Sequence, residues 1–271
     1  MSNYLQYQFS VSDDAVAAEL IAVLSEINFS GFEESSQALK AFIAESDFNN
    51  EDFLQAIHRF NLQPELTVIA ETNWNAVWES NFDPVIVDDF VGIRADFHEP
   101  IKNVIHEIRI TPKMSFGTGH HATTHMMMQL MRNINYTDKI VFDFGTGTGV
   151  LAILAEKLGA KQIDAIDNDQ WSIDNTQENI DRNQCKKISI KLDVKPPVGK
   201  EYDIILANIN KLVILEFLPA LNSILKKGGA LLLSGLLEED REDILLACSK
   251  NNLQLIDSQS RKGWIALHIT K

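Results

Sequence analysis

The stretch Val141-Phe-Asp-Phe-Gly-Thr-Gly-Thr-Gly-Val-Leu-Ala-Ile153 decides the fold of this chain, because it combines a strand, a glycine turn and the start of a helix. The apolar residues before Gly145 are typical of a buried parallel strand, and helical periodicity resumes after Gly149. The glycines permit positive φ and close approach of a ligand to the backbone, which can then sit on the exposed amides of the helix start. The pattern predicts a nucleotide-cofactor site.

The spacing of the glycines selects among cofactors. Gly145, Gly147 and Gly149 alternate, whereas the dinucleotide fingerprint leaves two residues between its second and third glycines. Alternation favours S-adenosylmethionine, which has no pyrophosphate. Asp167 closes the next predicted strand and can accept both ribose hydroxyls, while Asp143 can organise the loop or face the methionine ammonium. An ordinary tight turn is the alternative interpretation of the glycines.

Charge is distributed unevenly along the 271 residues, which carry a net charge of −14. Residues 1–72 hold twelve acidic side chains against two basic ones. Such a surface repels nucleic-acid phosphate and accelerates encounter with a basic protein, although it also serves solubility. We therefore expect no direct nucleic-acid partner and a basic protein as substrate.

The remaining composition predicts a globular cytoplasmic protein. The hydrophobic fraction of 45% suffices for a buried core, and the first residues lack a basic segment followed by an apolar one. No apolar stretch approaches membrane-spanning length, so we expect no membrane partner. Cys185 and Cys248 lie far apart in the sequence and are predicted to be free thiols.

Two domains are predicted from the periodicity of apolar residues. Residues 1–72 follow the order βαββαβ, which is typical of a small α+β ferredoxin-like domain. Residues 73–83, with Trp74 and Trp78 at helical spacing, predict a linker helix. Residues 84–271 begin with three strands and continue as alternating helices and strands, which predicts a doubly wound α/β sheet with its ligand site at the carboxyl edge.

Two details of the second domain follow from the same periodicity. The helix Leu212–Leu225 is expected to end at Gly228-Gly229. The methionine-rich segment Met126–Met131 is expected to pack in the core, and a soft binding face is the alternative.

The loop Lys113-Met-Ser-Phe-Gly-Thr-Gly-His-His-Ala-Thr-Thr124 resembles a lid over the predicted site. Phe116 can cover apolar ligand surface, and Thr123 or Thr124 can cap the next helix or donate to a carboxylate. His120 and His121 are candidates for a base. No carboxylate cluster accompanies these histidines, so we expect no metal.

Two residues at later strand ends complete the candidate site. Asn208 would lie across from the glycine turn, where its carbonyl can accept hydrogen bonds from an incoming amine. A strand-end asparagine that satisfies a turn is the alternative. Asp193 can accept from an adenine amino group, or it is a solvated loop acid.

Four motifs together resemble the PrmA-type methyltransferases, which modify ribosomal protein L11 of the large subunit. They are Phe116–Thr124, Asp143–Gly149, Ala165-Ile-Asp167 and Ala207-Asn-Ile209, behind the segment Trp74–Phe82 and a small N-terminal domain. The likeness covers essentially the whole chain. It departs from the family pattern at Lys113, where glycine is expected, and at Asn210, where an apolar residue is expected.

The resemblance implies a fold, a cofactor and a reaction. The fold is a doubly wound Rossmann-like seven-stranded methyltransferase domain preceded by the ferredoxin-like domain, which would grip the substrate. S-adenosylmethionine would be bound by positions that include Thr124, Gly145, Asp167 and Asn208. The expected reaction is methylation of lysine and N-terminal amines of ribosomal protein L11 by a cytoplasmic monomer.

The chemistry of an amine acceptor predicts roles for two residues, and several alternative functions stay open. Asn208 is expected to orient the amine, while Phe116 and the lid exclude water and solvent takes the proton. Ile209-Asn-Lys211 offers no aromatic ring to stack on a planar acceptor, which favours an amine. The rivals are methylation of another protein or a small-molecule amine, an NAD-binding oxidoreductase and a non-catalytic ribosome-associated module.

Overall fold

The computed structural model describes residues 3–35, 37–69, 82–113 and 117–271. The chain divides into two compact units, Met1–Val77 and Trp78–Lys271. Two predictions from the sequence concern residues that the structure does not describe. The linker helix at 73–83 lies almost entirely outside the described residues, and Phe116 lies outside them. The domain boundaries given above therefore stay predictions.

The described residues of the first unit form a four-stranded antiparallel sheet with two α-helices. Its elements are β1 (Tyr4–Ser10), α1 (Asp14–Glu26), β2 (Gly31–Glu34), β3 (Ala38–Ala44), α2 (Asn50–Ile57) and β4 (Glu65–Ile69). The strand order is β2-β3-β1-β4. Alternate residues of β1 and β3 are buried, so one face of the sheet forms the core together with Leu20, Leu24 and Phe53.

The second unit opens with a small sheet and continues with a large one. The small sheet pairs β5 (Val85–Val87), β6 (Val91–Arg94) and β7 (His106–Arg109). The large sheet contains β8 (Ile140–Phe144), β9 (Gln162–Asp167), β10 (Ile188–Leu192), β11 (Tyr202–Asn208), β12 (Leu225–Leu237), β13 (Gln254–Arg261) and β14 (Trp264–Thr270). Its order is β10-β9-β8-β11-β12-β14-β13, and only the pairs made by β14 are antiparallel.

Helices cover both faces of the large sheet, so the doubly wound prediction is confirmed. They are α3 (Ala122–Met131), α4 (Val150–Lys157), α5 (Gln170–Arg182), α6 (Lys211–Ile224) and α7 (Arg241–Lys250). One core cluster joins α3 and α4 to one face, and a second joins α6 and α7 to the other. The expected core packing of the methionines is also confirmed, because Met126–Met128 and Met131 are at most 1% exposed.

The predicted helix Leu212–Leu225 is observed as α6, but its predicted termination by Gly228-Gly229 is wrong. The helix stops at Ile224, and Leu225 already begins β12, which contains Gly228 and Gly229. Leu225 is fully buried and already pairs with Tyr202 of β11, so the two glycines lie inside the strand instead of at the helix end. Gly229 is needed inside the strand, since a Cβ there would lie 2.9 Å from the carbonyl oxygen of Asp203.

The order of the strands in the large sheet indicates the edge at which a ligand would bind. β8 lies between β9 and β11, so chain connections leave it toward opposite sides of the sheet. Ligands of such sheets bind at the carboxyl edge where this reversal occurs. No helix in the described part of the chain is long and apolar enough to cross a membrane.

Candidate functional site

The glycine turn joins β8 to α4 and needs glycine for two reasons. Gly145 and Gly149 have φ values of +78° and +79°, a region that side chains rarely enter. A Cβ on Gly145 would lie 2.4 Å from Cγ2 of Ile209, and one on Gly149 would lie 2.8 Å from Cγ2 of Thr176. The turn is therefore held between the end of β11 and helix α5.

The amides of this turn bond to the protein itself, which differs from the expectation that they receive the ligand. Gly145 and Thr146 donate to the carbonyl of Ile166 at 2.9 and 3.0 Å. Gly147 donates to Oδ2 of Asp167 at 2.9 Å. The turn thus offers little to a phosphate, and its role is to fix the position of Asp167.

Asp143 lies behind the turn and is 1% exposed. Thr146 Oγ1 donates to its Oδ2 at 2.7 Å. Burial, helped by the nearby Asp167 carboxylate, raises the pKa of Asp143 to about 7 despite this hydrogen bond. The position supports the role of organising the loop.

Replacing Asp143 by asparagine is expected to make stability less sensitive to pH. The pKa of this acid is raised in the folded state, so its contribution to stability is greatest below pH 4 and is lost as pH rises toward 7. A shift from 3.8 to about 7 corresponds to at most about 4 kcal/mol. Urea unfolding of both proteins between pH 4 and 8 should show the variant gaining on the parent as pH rises. A constant difference would contradict the assignment.

A cavity of about 150 Å³ opens at the carboxyl edge beside this turn. It is lined by Phe144, Gly145, Asp167, Asn168, Asp193, Val194, Ile209, Asn210 and Val213. The structure thus brings Gly145, Asp167 and Asp193 together, as the sequence predicted. A larger depression of about 440 Å³ lies at the opposite edge, near 196–201 and α6, and contains none of the predicted site residues.

The two carboxylates of the cavity have different partners. Besides Gly147, Asp167 accepts from the amide of Asp169 at 3.1 Å. Asp193 forms an ion pair with Lys191 at 2.6 Å, and this contact holds the pKa of Asp193 below its usual range. Both acids line the cavity and present acceptor oxygens to a ligand.

Asn208 and Thr124 meet on the other side of the glycine turn. Asn208 Nδ2 donates to Thr124 Oγ1 at 3.3 Å, and Thr124 is 1% exposed. This contact uses the amide nitrogen of Asn208. No described residue donates to its Oδ1, which leaves that oxygen as an acceptor for a ligand.

The predicted threonine cap of α3 is wrong. The helix begins at Ala122, and the capping side chain is His121, whose Nδ1 lies 3.4 Å from the amide of Thr123 and 2.7 Å from its Oγ1. His120 instead packs its ring edge-on against Phe82 at 4.9 Å. Thr123 is 3% exposed. Its hydroxyl contacts Nδ1 of His121 and does not cap the helix.

Sequence reasoning missed a row of asparagines on α5. The asparagine ladder consists of Asn175 and Asn179 in α5 and Asn183, the C-cap residue of this helix, spaced four residues apart. Asn183 exchanges two hydrogen bonds with the backbone of Arg109 at 3.0 and 2.6 Å. Asn179 accepts from the amide of Thr111 at 2.7 Å. The i, i+4 spacing was the available signal, since it places the three side chains on one helix face.

The ladder ties the glycine turn to the segment that leads into the loop at 113–124. Asn179 Nδ2 donates to the carbonyl of Thr148 in the turn at 2.8 Å. Thr148 Oγ1 donates in turn to the carbonyl of Gly117 at 2.8 Å. Asn179 and Thr148 therefore hold both flanks of this loop to the turn.

Replacing Asn179 by alanine is expected to destabilise the protein by about 2–4 kcal/mol. The change leaves the carbonyl of fully buried Thr148 and the amide of half-buried Thr111 without partners, and each such loss costs about 1–3 kcal/mol. Urea unfolding measures the effect. Gln177→Ala, on the exposed face of the same helix, should stay within about 0.5 kcal/mol of the parent. Equal effects of the two changes would contradict the role of the ladder.

The two departures from the family pattern have local structural reasons. Lys113 forms an ion pair with Glu178 at 2.8 Å and lies over the ring of Trp171 at 5.3 Å. Asn210 caps α6 by accepting from the amide of Val213 at 3.1 Å. Asn210 also lines the cavity, whereas Lys113 does not.

Comparison with known proteins identifies the family. The family model described as "Ribosomal protein L11 methyltransferase (PrmA)" matches residues 10–271. The chain belongs to this family. Ribosomal protein L11 methyltransferases of Porphyromonas gingivalis and Bacteroides thetaiotaomicron are 37% and 35% identical to it, each over 98% of this chain, and the matches cover 97% and 99% of those proteins.

A solved structure supports the same family and the fold. The ribosomal protein L11 methylase of Lactobacillus delbrueckii subsp. bulgaricus superimposes with a TM-score of 0.65 at 28% identity. The match covers 70% of this chain and 99% of that one. The seven-stranded PrmA-family domain is therefore the established part of the fold.

The residues of the cavity fit S-adenosylmethionine. Among the described residues that line it, two are carboxylates and none is basic. This charge suits a cationic sulfonium nucleoside and disfavours the pyrophosphate of a dinucleotide. Asp167 stands where ribose hydroxyls can donate, and apolar Ile209 and Val213 provide walls for a base.

Proposed function

We propose that this PrmA-family protein transfers methyl groups from S-adenosylmethionine to lysine and N-terminal amines of ribosomal protein L11. The observation that carries the proposal is the placement of the Asn208–Thr124 pair beside a cavity with two carboxylates and no basic side chain. A nucleoside cofactor and an amine acceptor can then meet at one edge of the sheet.

The residues divide the work of cofactor binding. Asp167 accepts the ribose hydroxyls, and Gly145 lets the nucleoside approach the backbone beside Ile209. Asp193 accepts from the adenine amino group, and Gly147 and Gly149 shape the turn. Thr124 contributes from α3, and Asp143 supports the turn from below.

The acceptor side of the site uses Asn208. When bound, S-adenosylmethionine supplies a methyl group on a sulfonium, which is already a good leaving group. Asn208 accepts a hydrogen bond from the amine and holds its lone pair in line, and this positioning supplies much of the acceleration. We include Phe116, which lies outside the described residues, as the side chain that excludes water.

Substrate recognition is assigned to the first unit. Its surplus of acidic side chains favours encounter with a basic ribosomal protein and disfavours bare RNA. We propose that the protein works as a monomer in the cytoplasm, with neither nucleic acid nor membrane as a direct partner.

One experiment tests the function. The protein is incubated with labelled S-adenosylmethionine and total ribosomal protein from cells that lack this activity, and mass spectrometry locates the label. Label on lysine and N-terminal amines of L11 is expected. Label on another protein would reject the proposed substrate, and absence of any transfer, with NAD bound in calorimetry instead, would reject the reaction class.

A further inference from the structure

Gly235 is the extra residue of a β-bulge in β12, where this strand pairs with β14. Ser234 pairs with Ala266. Leu236 already pairs with Ile265, so Gly235 stands outside the ladder. Its φ of +84° lies in the region that glycine favours. Bulges are frequent next to active sites, where they redirect a neighbouring group, and the neighbour on the other side of this bulge is the end of β11.

The bare Cα of Gly235 makes room for the backbone of Ile209, the residue that follows β11. A Cβ on Gly235 would lie 2.2 Å from the carbonyl oxygen of Ile209, 2.7 Å from its carbonyl carbon and 2.9 Å from its nitrogen. A side chain at residue 235 and the present backbone of Ile209 therefore exclude each other. The amide of Ile209 donates to the carbonyl of Ser234 at 3.1 Å, which holds this backbone against the bulge.

The glycine turn confines Ile209 from the opposite direction. A Cβ on Gly145 would lie 2.4 Å from Cγ2 of Ile209. Ile209 thus fills the space between two glycines, with its backbone against Gly235 and its side chain against Gly145. Because neither contact leaves room for Ile209 to shift toward the glycine, the spacing between the glycine turn and the end of β11 is fixed.

An added methyl group on Gly235 would displace Ile209 and not β12. The strand β12 lies between β11 and β14, and its residues Ser234 and Leu236 are 0% exposed. The hydroxyl of Ser234 also donates to the carbonyl of Ile265 at 2.8 Å. Ile209 is half-buried and lies beyond the end of its strand, so it is the part that yields. An ordinary contact of 3.4 Å in place of 2.2 Å requires a movement of about 1 Å.

Such a movement reaches the acceptor side of the site through one peptide bond. Asn208 directly precedes Ile209 and carries the side chain that is bonded to Thr124. In the proposed reaction Asn208 holds the amine, and the glycine turn borders the cofactor cavity. A misplacement of about 1 Å can lower the rate of an enzyme about 100-fold, because the reacting atoms leave their aligned geometry.

We infer that Gly235 is a positioning residue for methyl transfer. It lets the backbone of Ile209 lie against the bulge, and this contact sets the distance between Asn208 and the glycine turn. The inference rests on the proposed function. Gly235 is not among the described residues that line the cavity, so it acts on the reaction through Ile209 and Asn208.

The test compares Gly235→Ala with the parent protein in single-turnover methyl transfer to purified L11 at saturating S-adenosylmethionine. The first-order rate constant should fall about 100-fold. Calorimetry should give a Kd for S-adenosylmethionine within about tenfold of the parent, since Asp167 keeps its hydrogen bond from Gly147. A loss of stability alone would lower the amplitude of the reaction and leave the rate constant of the folded molecules unchanged.

Gly228→Ala is the matched control. Gly228 lies in the same strand with a φ of +73°, but a Cβ there would meet none of the described atoms within 4 Å. This variant carries the same backbone strain without the steric contact, so its rate constant should stay within about threefold of the parent. Equal losses in Gly228→Ala and Gly235→Ala would overturn the inference.

Two further variants separate the causes of a lost rate. Gly235→Asn should lose as much rate as Gly235→Ala, because asparagine tolerates positive φ, as Asn28 does at +71°, but still carries a Cβ. A parent-like rate constant for Gly235→Asn would assign the loss to backbone strain and reject the positioning role. Ile209→Gly takes the side chain off Gly145, leaves β12 intact and should lose at least tenfold.

The same assay distinguishes failure of the inference from failure of the function. If Gly235→Ala keeps the parent rate constant, the inference fails while the function stands. Should Gly235→Ala not fold, a parent-like rate constant for Ile209→Gly has the same meaning. An inactive parent protein would reject the function itself.

Discussion

Replacing Asp167 by alanine is expected to weaken S-adenosylmethionine binding by at least about 100-fold. The carboxylate accepts two ribose hydroxyls in the proposed complex, and hydrogen bonds to charged groups contribute about 1.5–3 kcal/mol each. The change also frees the amide of Gly147, which Asp167 holds at 2.9 Å. Both losses act on the nucleoside side of the cavity.

Calorimetric titration with S-adenosylmethionine measures this effect. Asp193→Ala is the matched control, because Asp193 lines the same cavity but forms an ion pair with Lys191. We expect about a tenfold loss there, because Asp193 gives one hydrogen bond instead of two and its charge is already paired with Lys191. A loss of less than threefold for Asp167→Ala would remove the proposed ribose contact.

Replacing Asn208 by alanine is expected to lower kcat by about 100- to 1,000-fold while the Kd for S-adenosylmethionine changes less than fivefold. The side chain is bonded to Thr124 and offers Oδ1 to the amine, so its loss affects placement of the acceptor most. Single-turnover rates at saturating cofactor separate this effect from binding.

Asn210 provides the control for this prediction. It stands two residues later and caps α6 through the amide of Val213. Asn210→Ala should cost about 1 kcal/mol of stability, and at saturating S-adenosylmethionine, where a change in the cavity lining does not limit binding, its rate should stay within about threefold. Equal losses of rate in the two variants would show that the loop, rather than the Asn208 side chain, is what matters.

The sequence predicted the elements that depend on local pattern. The apolar strand before Gly145, the alternating glycines and Asp167 at the end of the next strand determine one edge of the sheet, and the structure brings Gly145, Asp167 and Asp193 to one cavity. The buried methionines of α3 followed from helical periodicity in the same way.

Other features depended on contacts between distant segments, which local pattern does not contain. Gly228-Gly229 looked like a helix end, but both glycines lie within β12, which begins at Leu225 where the chain pairs with Tyr202 of β11. Thr123 looked like a cap, but His121 takes that place. The occupied amides of the glycine turn could not be predicted either, because their partners lie on β9.

The asparagine ladder has a consequence for how this protein tolerates insertions. An α-helix advances 100° per residue, so a single added residue between Asn175 and Asn183 would swing one rung away from the backbone at Arg109 or Thr111. The flank of the cofactor turn would lose its anchor although no cavity residue had changed. Surface loops can be lengthened at little cost, but the length of α5 is constrained because its asparagine side chains hydrogen-bond to the backbone of Arg109 and Thr111.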